Sequence, residues 1–320
     1  MIRGVEKAGT RFRDHLDQKV MDWIRPYDES IEFDTALLGA PLSKTSISHS
    51  AAFRLPDAIR SLFQTFTPFS IYHRLDLSEH LRLVDMGNIR MHLTDLNACL
   101  EAIEWACLDY WKQFPHQRLI LLGGDHAITG ASLLGLAQAR PGNYGILHFD
   151  AHHDVRNLQD GGRSNGTPFR TVLESGNFKG KNIVQIGIQD YVNSRIYHEY
   201  VLQHGVTVHS ARQVRHTGLM TLIEQEVNRL RKQVDAIYVS FDMDVIDQSF
   251  APAVPAPSSG GLDMWQAIEA LEWLGSQPDV IGFDLVCIDP ERDVRDLTVR
   301  AATTLLMSFL TGQALNSSTK

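Results

Sequence analysis

The chain has 320 residues, 43% of them hydrophobic, and a formal net charge of −8. That is enough apolar material for a sizeable core, and the acidic balance argues against nucleic acid or an anionic membrane surface as the main partner. No apolar run approaches the ~20 residues needed to cross a bilayer, and Met1 to Lys7 lack the basic-then-apolar layout of a signal peptide.

Short apolar runs alternate with stretches of helical period along most of the chain. A first strand is predicted at 35–38, followed by the Ser/Thr-rich loop 39–50, where turn structure is role enough for His49. A strand at 83–84 and an amphipathic helix over 96–114 come next; the helix carries Cys99 and Cys107. With Cys287 they are odd in number and widely separated, which fits a reducing, cytoplasmic compartment rather than a disulfide framework or a zinc knuckle. The strand 119–122 runs into Gly123-Gly-Asp-His126, which opens a helix over 128–139.

The strand 144–149 ends on Asp150-Ala-His152-His153-Asp154. Side chains on an extended segment alternate, so Asp150, His152 and Asp154 would share one face. His153 has the opposite parity, and a hydrogen-bonded supporting or core position is expected for it. Carboxylate, imidazole and carboxylate converging on one point repel and desolvate one another unless a cation stands among them, and these mixed donors suit Mn²⁺. Strands at 183–188 and 206–209 and a helix over 219–234 lead to the strand 236–241. That strand ends on Asp242 and Asp244, again two residues apart. The Pro-rich tract 251–261 is an irregular loop. A helix over 263–274, a strand at 280–286 and a helix over 298–310 complete the chain.

This alternation predicts a parallel sheet with its site at the carboxyl ends of the strands. No composition break divides it, so a single domain over 1–320, with its core at about 34–312, is expected. Three strand ends together offer His126, Asp150, His152, Asp154, Asp242 and Asp244, enough donors for two metal ions that share ligands.

With these residues assembled, the chain resembles the ureohydrolase superfamily of arginases, agmatinases and formimidoylglutamases over about 38–310. The most specific parts are Gly123-Gly-Asp-His126, Asp150-Ala-His-His-Asp154, and Ser240-Phe-Asp-Met-Asp-Val-Ile-Asp247 continuing to Gly261. Within the superfamily it is most similar to formimidoylglutamases, on Gly39 to Ser50, Asp150 to Asn157, Ser164 to Arg170 and Asp289 to Asp296. The resemblance implies a three-layer α/β/α fold around a parallel eight-stranded sheet, two Mn²⁺ per subunit, a small-molecule substrate and a homo-oligomer, trimer or hexamer. Carried over residue by residue, His126, Asp150, Asp154 and Asp242 would hold one ion. Asp150, His152, Asp242 and Asp244 would hold the other, with Asp150 and Asp242 shared.

The implied reaction is hydrolysis of N-formimidoyl-L-glutamate to L-glutamate and formamide, a step of histidine degradation, with Asp154 as general acid–base. Two other readings stay open. One is a different guanidino or amidino hydrolase, such as an agmatinase or guanidinobutyrase; the other is a metal-binding homologue with impaired catalysis. A substrate with two carboxylates calls for cationic or amide donors, for which Arg156 and Asn165 are the leading candidates. Arg163, Arg170, Asn193 and Ser194 are weaker ones. Arginases and agmatinases usually carry His where this chain has Asn165. Cys287 stands where the family usually carries a Glu that pairs with the substrate's cationic head, and it too is expected to touch substrate.

Overall fold

The computed structural model describes residues 14–317, so the N-terminal stretch read for a signal peptide lies outside the described residues. Within them the strands are β1 (Arg25–Pro26), β2 (Thr35–Gly39), β3 (Phe69–Ser70), β4 (Leu75–Asp76), β5 (Leu83–Asn88), β6 (Arg118–Leu122), β7 (Tyr144–Phe149), β8 (Ile183–Ile188), β9 (Thr207–Ser210), β10 (Ala236–Asp242) and β11 (Val280–Val286). The helices are α1 (Val20–Trp23), α2 (Leu55–Leu62), α3 (Leu96–Gln113), α4 (Ala127–Ala139), α5 (Pro168–Glu174), α6 (Arg195–Gln203), α7 (Ala211–Thr217), α8 (Leu219–Leu230), α9 (Met264–Ser276) and α10 (Leu297–Ser317). None of them is long and apolar enough to cross a membrane.

Nine strands form one sheet in the order β1-β5-β2-β6-β11-β10-β7-β8-β9, and β3 pairs with β4 as a separate hairpin. Every pairing in the large sheet is parallel. The sheet has one strand more than the eight expected. The addition is β1, two exposed residues on the edge, where Pro26 is tolerated and no periodicity marks a strand.

The two faces of the sheet bury two separate cores, and the period of two sorts side chains between them. Leu147, Phe149, Val239 and Phe241 pack with α1, α2 and α7 to α10. Ile146 and Tyr238, of opposite parity, pack with α3 to α6. His148 and Ser240 share that second parity, so two polar side chains enter the α3 to α6 layer beside the strand ends. Helix α4 is buried almost all round, as a helix wedged between a sheet and α3 must be.

Gly124, just past β6, lies where three backbone segments meet. A Cβ there would sit 2.0 Å from the Leu42 carbonyl oxygen and 2.8 Å from that of Ala40. Backbone cannot step aside, so Gly124→Ala is expected to cost about 1–3 kcal/mol, read as a lowered urea midpoint at unchanged slope.

Candidate metal centre

Four neighbouring central strands end on the chemistry. His126 follows β6, Cys287 follows β11, Asp242 ends β10 and Asp150 follows β7. Strands β7 and β10 run in register with Phe149 opposite Phe241, which brings Asp150 beside Asp242. Each aspartate then turns the chain. Asp150 Oδ1 accepts from the His152 amide at 2.6 Å, and Asp242 Oδ1 from the Asp244 amide at 2.9 Å.

That turn, and not a continued strand, places Asp154 with Asp150 in one donor set and His152 with Asp150 in another. Strand β7 stops at Phe149, and Asp154 lies at φ +51°, a left-handed conformation that Asp adopts more readily than most residues. The expected extended alternation through Asp154 is therefore corrected: His152 and Asp154 each meet Asp150, in separate sets.

The ligand atoms of His126, Asp150, Asp154 and Asp242 lie within 4.8 Å of one another. His126 Nδ1 is 3.1 Å from Asp150, 2.9 Å from Asp154 and 3.1 Å from Asp242, yet it is buried without a well-aligned hydrogen bond to any of them. On the other side of the ring, Ser240 Oγ donates to Asp284 at 2.8 Å and so accepts from His126 Nε2–H at 3.0 Å. The Nδ1 position is thus left for a cation or a proton. Two ligands at right angles around an ion with bonds of ~2.1 Å lie about 3 Å apart, which matches the spacing of these atoms. A second set, Asp150, His152 and Asp244, meets the same distance limit. His152 Nδ1 is 3.3 Å from Asp150 and 3.0 Å from Asp244. Asp150 belongs to both sets, while Asp242 groups by distance with the first alone.

The clustered carboxylates favour protons on the two histidines of these sets. Burial depresses His126, but Asp150, Asp154 and Asp242 together hold it well above the usual imidazole range. Burial likewise opposes His152 ionisation, yet Asp244 and Asp150 push it up to about 12. Burial, reinforced by the neighbouring Asp150 charge, raises Asp154 to about 6, and burial with Asp242 and Asp150 raises Asp244 well above the carboxylate range. Groups held protonated must lose those protons to bind a metal, so lower proton activity favours loading. Calorimetric titration of metal-free protein with Mn²⁺, in buffers of different ionisation enthalpy, should show net proton release and an affinity that rises from about pH 6 to about pH 8.

Cys287 borders the first set, its sulfur within 4.8 Å of the His126 and Asp242 ligand atoms, at φ +65°. Burial and then the charges of Asp242 and Asp244 raise its thiol well above the ordinary range, so it is a neutral group. Arg156 is exposed beside a cavity lined by His152, Asp154 and Tyr197, and among the described residues its guanidinium has no ion-pair partner. A Cβ on Gly166 would come within 2.8 Å of Arg156 Cδ, so the glycine lets that side chain cross the loop. Asn165 accepts from the Ile47 amide at 3.0 Å and ties the loop after β2 to the loop after β7.

The weaker candidates have structural employment. Arg163 pairs with Glu104 at 2.6 Å, and Arg170 lies 3.8 Å over the Tyr200 ring. Asn193 clasps the Ala151 carbonyl and the His153 amide, and Ser194 caps α6. His153 is buried and hydrogen-bonded, the supporting position expected for it, although the turn after β7 and not strand alternation directs its side chain. Sequence reasoning gave no role to Ser240 and Asp284, whose signal was a polar residue inside an apolar strand. Asp125 was missed as well: it is buried and accepts from the Thr45 amide at 3.1 Å, pinning the loop after β2 over the site.

Comparison with known proteins agrees with this geometry. The Arginase family profile matches residues 33–312. A formimidoylglutamase of Halalkalibacterium halodurans is 41% identical over 313 residues, 98% of each chain. The crystal structure of Bacillus subtilis formimidoylglutamase superposes with a TM-score of 0.93 at 36% identity, covering 98% of this chain and 97% of that one. A structure of Trypanosoma cruzi formiminoglutamase with Mn²⁺ superposes with a TM-score of 0.85 at 25% identity, covering 93% of this chain and 99% of that one. The nine-stranded three-layer fold, the donor sets at its strand ends and the match over most of the sequence lead to one conclusion: this chain belongs to the arginase family.

Proposed function

We propose that this chain is a manganese-dependent formimidoylglutamase, hydrolysing N-formimidoyl-L-glutamate to L-glutamate and formamide in the cytoplasmic degradation of histidine. The observation that carries this reading is the pair of donor sets joined at Asp150. Likeness to a formimidoylglutamase along 98% of the chain supports the substrate. The chain would act as one domain over 1–320 with its core at about 34–312. Its three free, buried cysteines fit a reducing compartment.

His126, Asp150, Asp154 and Asp242 would hold one Mn²⁺, and Asp150, His152, Asp242 and Asp244 the other. Bound there, the two ions supply a water-derived nucleophile near neutral pH and polarise the amidine. Asp154 takes the proton from that water and returns it to the nitrogen that departs with glutamate. The C–N bond to that nitrogen breaks, and the water oxygen ends in formamide. Arg156 offers a fork to a substrate carboxylate, and Asn165 holds the facing loop in place.

The neutral Cys287 favours this substrate over a guanidine. A formimidoyl carbon carries hydrogen where a guanidinium carries a third nitrogen, and a thiol leaves such a nitrogen without a charged acceptor.

The test is product analysis. Mn²⁺-loaded protein given N-formimidoyl-L-glutamate should release glutamate and formamide in equal amounts by proton NMR, and should form no urea from agmatine or 4-guanidinobutyrate. Urea from a guanidine, with formimidoylglutamate untouched, would overturn the substrate. No turnover of any amidine with two bound Mn²⁺ would overturn the enzymatic reading.

A further inference from the structure

Behind Asp150 a row of buried polar side chains runs outward to the surface. His148 Nε2 lies 2.7 Å from Asp150 Oδ2. Gln185 Nε2 lies 3.1 Å from His148 Nδ1 and 2.9 Å from the His153 carbonyl oxygen. Gln185 Oε1 is 2.6 Å from His153 Nδ1, and His153 Nε2 is 3.0 Å from His198 Nδ1. His148, Gln185 and His153 are 0%, 1% and 2% exposed, while His198 stands exposed on α6.

One fixed point sets the direction of every bond. The His153 carbonyl only accepts, so the amide nitrogen of Gln185 must face it. The other hydrogen on that nitrogen then points at His148 Nδ1, which must be bare. A neutral His148 therefore carries its proton on Nε2 and donates to Asp150. On the far side Gln185 Oε1 accepts from His153 Nδ1–H, which leaves His153 Nε2 to accept from His198 Nδ1–H. All four links donate toward Asp150, and aligned hydrogen bonds polarise one another. The His148 ring is also held in plane, stacked on Phe169 at 3.7 Å between centroids and 20° between planes.

The chain reaches a specific oxygen. Asp150 Oδ2, which accepts from His148, is the atom 3.1 Å from His126 Nδ1, whereas Oδ1 is turned to His152 at 3.3 Å. We propose that His148, Gln185, His153 and His198 are a positioning chain that fixes the rotation of Asp150, so that one oxygen serves each metal position and the pair is held tightly. This rests on the reading of Asp150 as the ligand common to two ions.

Gln185→Leu keeps the bulk and removes both polar ends of the central link. Calorimetry of metal-free protein with Mn²⁺ should then show one site weakened about 10- to 100-fold, the effect typical of losing an outer partner of a ligand. Low-temperature EPR should change from a coupled Mn²⁺ pair toward isolated Mn²⁺. His198→Ala, at the exposed end, should fold like the parent, melt metal-free at the same temperature and weaken the same site by at least about twofold. That variant decides the matter if Gln185→Leu does not fold. Parent affinity and a coupled spectrum in both folded variants would overturn the positioning chain and leave the shared ligand standing. A parent protein that binds one Mn²⁺, or two uncoupled ones, would overturn the shared-ligand reading beneath it.

Discussion

Asp150→Asn is expected to lower kcat/KM for N-formimidoylglutamate by about 10³- to 10⁴-fold, because metal-derived charge stabilisation amounts to several kcal/mol and each ~1.4 kcal/mol is a decade in rate. The substitution preserves shape, so the loss comes from chemistry. The native carboxylate uses both oxygens as acceptors, Oδ1 from the His152 amide and Oδ2 from His148 Nε2–H. An amide offers only one acceptor, so whichever way it is turned its NH₂ opposes a donor. It also removes the charge common to both donor sets. Metal analysis of the purified variant should find fewer than two Mn²⁺ per chain. Near-parent activity with full metal content would remove Asp150 from the centre of the account.

Asp154→Asn is expected to reduce kcat by about 10²- to 10⁴-fold, the usual contribution of a positioned proton carrier. The backbone supports a clean comparison, since Asn accepts the left-handed conformation at φ +51° as readily as Asp does. The thermal midpoint of the metal-free protein should therefore change little while turnover collapses. In variant protein that retains the parent's Mn²⁺ content, steady-state kinetics should place the loss mainly in kcat, because the proton is needed in the transition state and not for holding the substrate. Parent kcat in the variant would assign the proton to another group.

What was legible in the sequence follows from how each element earns its stability. Strands β7, β8 and β11 were read to the residue, because buried parallel strands appear as mostly apolar runs, each interrupted here by a single polar side chain, His148, Gln185 or Asp284. Edge strand β1 is exposed and two residues long, so no pattern reports it. Helices α6 and α7 each bury one residue, Val201 and Val214, too little to print an amphipathic stripe. Their termini come from Ser194 and Ser210, capping residues that a search for apolar periodicity passes over.

At the site, spacing identified the donors but not the way they meet. The turn made by Asp150 on the His152 amide and the left-handed Asp154 replace the extended alternation that first singled them out. The supporting partners were harder to see. Ser240 and His126 touch across 114 residues, and Gln185 reaches His148 across 37. Such pairs are made by strand order, and no local pattern specifies which strand lies beside which. Arg156 was ranked above Arg163 on its nearness to Asp154, but only packing shows that Glu104 already occupies Arg163.

The most direct test is an anomalous diffraction map at the manganese edge from crystals of the Mn²⁺-loaded protein. Two peaks about 3.5–4 Å apart are expected, one beside His126 Nδ1 and the other beside His152 Nδ1, with the two oxygens of Asp150 divided between them. A single peak, or two peaks of which only one is touched by Asp150, would contradict two ions sharing Asp150.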